Sequence, residues 1–210
     1  EENLRQGAQL RRPDIKNSKG QIIMGGRLSP IPPACAKEWG KKHFDFPTLH
    51  HPSGEFPLNP ATKQAATGNT GATELVIPLS YQADYGPRMH PKSKKPSYHP
   101  GIDFNQGNSG VTFNGGPIYS SLDGKIREMG VSTSWGKFII VDHGPYYDLV
   151  DRRNVKISGY ILMTVYAHLK HFTVKRGNMV SRGEQIALSN STGNSTGDHL
   201  HYEVIVARAG

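Results

Sequence analysis

Near the C-terminus runs Ser191-Thr-Gly-Asn-Ser-Thr-Gly-Asp-His-Leu-His-Tyr-Glu-Val-Ile-Val206, and its second half constrains the fold more than any other part of the chain. From His199 onward polar and apolar side chains alternate: His199, His201 and Glu203 against Leu200, Tyr202, Val204 and Val206. An extended strand sends successive side chains to opposite faces. The pattern therefore predicts a β-strand with its apolar residues in a core and two imidazoles and a carboxylate on the other face. Gly193 and Gly197, set among Ser, Thr and Asn, predict a loop that delivers the chain to the strand start. Paired histidines on a strand are more often partly exposed polar residues than ligands, so the pair takes its meaning from its partners upstream.

Tyr98-His-Pro-Gly-Ile-Asp-Phe104 places a histidine and a carboxylate four residues apart. Pro100 and Gly101 disfavour a helix there and predict a turn feeding a short strand, with Ile102 and Phe104 toward the core and Asp103 on the side of the histidines. In Thr164-Val-Tyr-Ala-His-Leu169, Val165, Ala167 and Leu169 alternate with Tyr166 and His168, again the period of a half-buried strand. His99, Asp103, His168, His199 and His201 are thus expected to converge on one sheet face. Catalytic zinc takes three protein ligands from His, Asp or Glu and keeps a fourth position open, and it lowers the pKa of a water there, which suits amide hydrolysis. Five candidates for three positions leave two imidazoles to move a proton or steady an oxyanion.

These segments resemble the lysostaphin and LytM type of zinc metallopeptidase, which cleave peptide cross-links of bacterial peptidoglycan. The likeness rests on His99-x-x-x-Asp103, Tyr166-Ala-His168 and Ser195-Thr-Gly-Asp-His-Leu-His-Tyr-Glu-Val204 in that order. It extends to Tyr85-Gly-Pro-Arg-Met-His-Pro91 and Val141-Asp-His-Gly144, and covers about Leu75 to Ala207. The resemblance implies that His99, Asp103 and His201 hold Zn2+, that His168 and His199 are the catalytic pair, and that the reaction runs through a metal-activated water. Arg88 and Tyr98 are candidates for binding substrate. The resemblance further implies peptidoglycan as partner and an extracytoplasmic setting: secreted, periplasmic, cell-wall or virion-associated. The alternatives are a catalytically inactive domain of the same fold, serving as a wall-binding or regulatory module, and a basic nucleic-acid-associated protein with incidental histidines.

The net charge of +8 suggests an anionic partner. Basic residues are scattered rather than interleaved with aromatics, which argues against nucleic acid and leaves the anionic bacterial wall. One cysteine, Cys35, excludes an internal disulfide. No run approaches the roughly eighteen apolar residues of a membrane helix. The chain opens on Glu without a signal-peptide pattern, as expected of a processed or truncated form.

Residues 1–73 differ in character from the rest. Seven prolines fall between Pro30 and Pro60, yet Trp39, Phe44, Phe46 and Phe56 are too apolar for a pure linker. This segment is expected to be an irregular extension that wraps onto or links to the catalytic domain, 74–210, with a short helical turn possible over Glu1–Gln9. His50, His51 and Cys35 are candidates for a latent blocking ligand. Beyond residue 75 no useful helical period occurs. Lys137–Asp142 and Tyr160–Ala167 predict buried strands, and Val174–Ala187 carries two Gly-centred turns between apolar positions. His143 is expected to be a turn residue, and His171 to lie away from the site. The fold class predicted is mainly β, an antiparallel sheet or sandwich, which is also the fold the resemblance implies.

Overall fold

A computed structural model describes residues 15–16, 19–24, 43–45, 60–61, 63, 74–76, 86–90, 92–105, 113–145 and 158–209. Among them every regular element is a strand: β1 (Ile15–Lys16), β2 (Ile22–Met24), β3 (His43–Asp45), β4 (Glu74–Val76), β5 (Gly86–Met89), β6 (Pro96–His99), β7 (Ile102–Asn105), β8 (Pro117–Tyr119), β9 (Gly124–Ser132), β10 (Gly136–Pro145), β11 (Tyr160–Phe172), β12 (Met179–Val180), β13 (Gln185–Ser189) and β14 (His199–Arg208). The main sheet has eight strands, ordered β12-β9-β10-β11-β13-β8, with β14 pairing both β11 and β7; β1-β2, β3-β4 and β5-β6 form two-stranded sheets. All pairings are antiparallel. The expectation of an antiparallel, mainly β fold is met.

β11 is the axis of the sheet. Its run from Ile161 to Leu169 is buried throughout, and the run is mostly apolar, with Thr164 and His168 as its buried polar members. One edge pairs β10. The other edge is shared: β14 takes Tyr160 to Ala167 and β13 takes Leu169 to Phe172. The sheet therefore forks at His168.

Each face carries its own core. Ile102, Phe104, Tyr166, Leu169, Leu200, Tyr202 and Val204 belong to one; Trp135, Phe138, Ile140, Met163, Val165, Ala167 and Ile205 belong to the other. Each fully buried side chain of the Val, Ile or Phe kind contributes about 1.5–3 kcal/mol, so a strand such as Phe138-Ile-Ile-Val141, at most 1% exposed, is anchored from both sides. Gly177 and Gly183 take positive φ (87° and 79°) at the two turns flanking β12, a conformation glycine adopts without the strain a side chain adds. From the N-terminal segment, Ala61 is buried in the first core, Pro60 O accepts from Tyr119 N at 2.8 Å, and Lys63 Nζ lies 4.3 Å above the Tyr119 ring. Glu1–Gln9, Cys35, His50 and His51 lie outside the described residues. No helix among the described residues is long and apolar enough to cross a membrane.

Candidate metal and catalytic site

Register brings the first residues together. Antiparallel pairing sets His201 opposite Asp103 and His199 opposite Asn105, and on the other side of β14 sets Ala167 opposite His201. Leu200, Tyr202 and Val204 enter the first core while His199, His201 and Glu203 share the opposite face with Ile205, as the alternation predicts. Between β6 and β7 the turn at Pro100–Gly101 folds His99 back over its own carboxylate partner. Gly101 is needed there: a Cβ would run into the Tyr202 carbonyl, Glu203 Cγ and His201 Cε1. Gly101→Ala is therefore expected to destabilise the fold by about 1–3 kcal/mol, the usual penalty of overpacking, read as a lowered thermal midpoint.

The three expected ligands form a near-equilateral triangle. His99 Nε2 lies 3.1 Å from His201 Nδ1 and 3.2 Å from Asp103 Oδ1, and His201 Nδ1 lies 2.9 Å from Asp103 Oδ1. A ring nitrogen offers one in-plane direction, so hydrogen bonding cannot serve both partners of each atom equally well. A cation at the centre serves all three. A tetrahedral zinc about 2.0–2.1 Å from each donor would set the donors about 3.3–3.4 Å apart, close to what is seen. The donor set, two imidazoles and one carboxylate, fits zinc.

Protonation is arranged to match. His201 Nε2 lies 2.8 Å from Glu203 Oε1, and because a carboxylate accepts, the proton of the neutral ring sits on Nε2. Nδ1 then turns its lone pair to the triangle. Without a cation, burial alone would depress His201, but hydrogen bonds to Asp103 and Glu203 outweigh it and raise the ring to about 9. Burial would likewise raise Asp103, yet the His99 charge and hydrogen bonds from His201 and His99 hold it well below the usual carboxylate range. A cation held at the triangle would displace a proton from His201.

His168 and His199 stand beside the triangle. Their ring centroids are 4.7 Å apart, and His168 lies 5.7 Å from His201. His168 Nδ1 donates to the Thr192 carbonyl at 2.7 Å, and His199 Nδ1 to the Gly197 carbonyl at 2.7 Å. Carbonyls only accept, so each Nδ1 carries a proton, and a neutral His168 keeps its lone pair on Nε2. Burial, with charge on His201 and His199, lowers His168 to about 3 and keeps it neutral.

His168 reaches this face by an irregularity. Lys137 pairs with Leu169 and Ile139 with Tyr166, so β11 carries one extra residue between them, and His168 itself has φ +61°. Such a bulge re-aims one side chain, at a cost of order 1–3 kcal/mol for a non-glycine residue in that conformation. The alternation expected for Val165 to Leu169 is corrected accordingly. Tyr166 and Leu169 share the first core, while Val165 and Ala167 lie on the site face. A backbone hydrogen bond from His168 N to Trp135 O at 2.8 Å holds the bulge.

Other expectations divide. Arg88 and Tyr98 pair within the β5–β6 hairpin through Ser97 and Pro87, but their side chains lie outside the described residues. His143 is not in a turn; it lies in β10 and is buried, with Nδ1 2.7 Å from Asp123 O and Nε2 2.8 Å from Thr164 Oγ1. His171 is exposed, outside the site. Three contributors went unassigned by sequence reasoning: Glu203, placed on the right face without a role; Thr192, whose carbonyl orients His168; and Trp135, whose Nε1 donates to Glu203 Oε1 at 3.0 Å. The only signal for Trp135 was its rarity, as one of two tryptophans, in a turn between two strands.

Residues 97–209, just over half of the chain, match the sequence model of Peptidase family M23. The chain belongs to that family. The chain is 37% identical over 119 residues to the peptidoglycan DD-endopeptidase ShyA of Vibrio cholerae, a match covering 57% of this chain and 23% of ShyA. The chain thus spans about a quarter of that relative's length. Among solved structures, a zinc containing peptidase from Vibrio cholerae aligns with TM-score 0.44 and 32% identity over 62% of this chain and 36% of that one. The catalytic domain of lysostaphin from Staphylococcus simulans aligns with TM-score 0.44 and 29% identity over 60% of this chain and 79% of that domain.

Proposed function

We propose that this M23 peptidase is a zinc-dependent endopeptidase that hydrolyses peptide cross-links of bacterial peptidoglycan, acting outside the cytoplasm. The observation that carries the reading is the convergence of His99 Nε2, Asp103 Oδ1 and His201 Nδ1 within 2.9–3.2 Å of one another, with two further imidazoles alongside. A structural zinc site would close its coordination with a fourth protein ligand, whereas a catalytic one keeps a position open. When bound, the zinc supplies a Lewis acid for the scissile carbonyl and acidifies a water.

This chain's own residues do the rest. His99, Asp103 and His201 hold the ion. His168, neutral and locked by Thr192, keeps an unprotonated Nε2 that can accept a hydrogen bond from the attacking water and orient it. His199, ring against ring with His168, is placed to hand a proton on and to steady charge on the carbonyl oxygen. The overall charge of +8 favours approach to an anionic wall. All five side chains are present, and no observation favours an inactive wall-binding module. The test is digestion of purified peptidoglycan from walls of different cross-link chemistry, with fragments identified by mass spectrometry. Cross-linked dimers should fall to monomers with zinc and remain intact with a chelator. Undigested walls under zinc-loaded conditions would refute the reading.

A further inference from the structure

The turn between β9 and β10, Ser132 to Gly136, is tied to Glu203, to His168 and to the Thr192–Asn194 loop. Trp135 is 4% exposed and packs on Phe138 with ring centroids 5.3 Å apart. Its backbone N–H bonds to Ser132 Oγ at 2.9 Å, which fixes the turn. Its carbonyl takes the His168 N–H. Its indole N–H donates to Glu203 Oε1 at 3.0 Å, the same oxygen that lies 2.8 Å from His201 Nε2. Beside it, Gly136 (φ +60°) meets the Thr192–Gly193 backbone so closely that a Cβ there would collide. Lys137 N bonds Thr192 Oγ1 at 3.0 Å, and Asn194 N bonds Ser134 O at 3.0 Å.

Glu203 is 1% exposed. A carboxyl so buried is expensive unless hydrogen-bonded, and the simplest apolar core would have put a Leu or Ile in that place, as at Ile205 two residues on. We propose that the buried pair Trp135–Glu203 is the positioning device of the site: the indole pins the Glu203 carboxylate, which fixes the ring and tautomer of His201 and leaves Nδ1 as a lone-pair donor to the metal. Through its carbonyl the same tryptophan sets where His168 stands, so one residue sets the distance between a ligand and a catalytic imidazole. The inference rests on the zinc reading above and goes past it, to residues that touch neither metal nor substrate.

Partners of this kind, one step behind a metal ligand, are worth about 10–100-fold in metal affinity. The test is zinc affinity measured by competition with a chromophoric chelator on the full chain, comparing the parent with Glu203→Gln, Trp135→Phe and the double variant. Glu203→Gln keeps the shape and removes the charge; Trp135→Phe keeps an aromatic ring and removes the donor. Glu203→Gln is expected to weaken zinc about 10–100-fold, Trp135→Phe by a smaller factor, and the double variant by about the larger single factor and less than the product of the two, since both act on one oxygen. Thermal unfolding of the metal-free proteins serves as the control, because a purely structural role lowers that midpoint without a separate loss of zinc. Parent-like zinc affinity in Glu203→Gln, or losses that track metal-free stability alone, would overturn the proposal while leaving the zinc reading intact. A parent that binds no zinc would overturn both. Should Trp135→Phe not fold, Glu203→Gln decides the matter by itself.

Discussion

Replacing His168 or His199 by alanine is expected to cost about 10²–10⁴ in turnover, the usual worth of a positioned proton-transfer group, with zinc still bound at one ion per chain. The reason is geometric. Neither ring belongs to the triangle of donor atoms, whose edges are made by His99, Asp103 and His201 alone, yet the His168 and His199 rings stand together beside it. Their Nδ1 protons are committed to the Thr192 and Gly197 carbonyls, so the working nitrogen of each is Nε2. The loss should fall on kcat more than on KM, because these contacts strengthen as the carbonyl becomes tetrahedral. His168 also occupies a strained bulge; alanine keeps that strain and loses the hydrogen bond to the Thr192 carbonyl, so His168→Ala is expected to lower thermal stability modestly. Metal analysis and single-turnover kinetics on the same preparations check the prediction. A zinc-free His168→Ala or His199→Ala would move that residue into the ligand set, and fully active variants would remove the mechanism.

The second large effect is loss of the ion itself. His99→Ala, Asp103→Ala and His201→Ala each take away one of three donors, so zinc content and activity should disappear together. Saturation with a hundredfold excess of zinc over its dissociation constant stabilises a folded protein by about 2.7 kcal/mol. The parent's thermal midpoint should therefore rise on adding zinc, and the three variants should show little or no rise. Asp103→Ala carries an additional penalty: it removes the carboxylate that offsets the neighbouring imidazoles, leaving His99 (2% exposed) and His201 (6% exposed) to face each other buried. Its metal-free form should be less stable than the metal-free parent. A zinc-dependent rise of parental size in any of the three would dismiss that residue as a ligand.

The sequence by itself determined whatever depends on strict alternation. In β7 and over His199–Glu203 of β14 each polar position is separated from the next by one apolar residue, and the structure keeps that order: Leu200, Tyr202, Val204, Ile102 and Phe104 enter one core while His199, His201, Glu203 and Asp103 share the opposite side. The class of fold, the apolar run Lys137–Asp142 and the Gly turns flanking β12 were legible for the same reason, since local propensity and period are properties of neighbours in the chain. Tertiary structure alone decided the rest. Continued alternation would have sent His168 to the face occupied by Tyr166; one inserted residue at the fork of β11 reverses it, because a single-residue slip exchanges the two faces of a strand. Nothing local marks that bulge. It exists because β14 ends its pairing at Ala167, β13 begins at Leu169, and the freed His168 N–H finds the Trp135 carbonyl 33 positions earlier in the chain. The Trp135–Glu203 bond, which spans 68 positions, was hidden in the same way. Long-range hydrogen bonds leave no period in a sequence, so the candidate ligands could be picked out along the chain, while the framework around them could be seen only once it was folded.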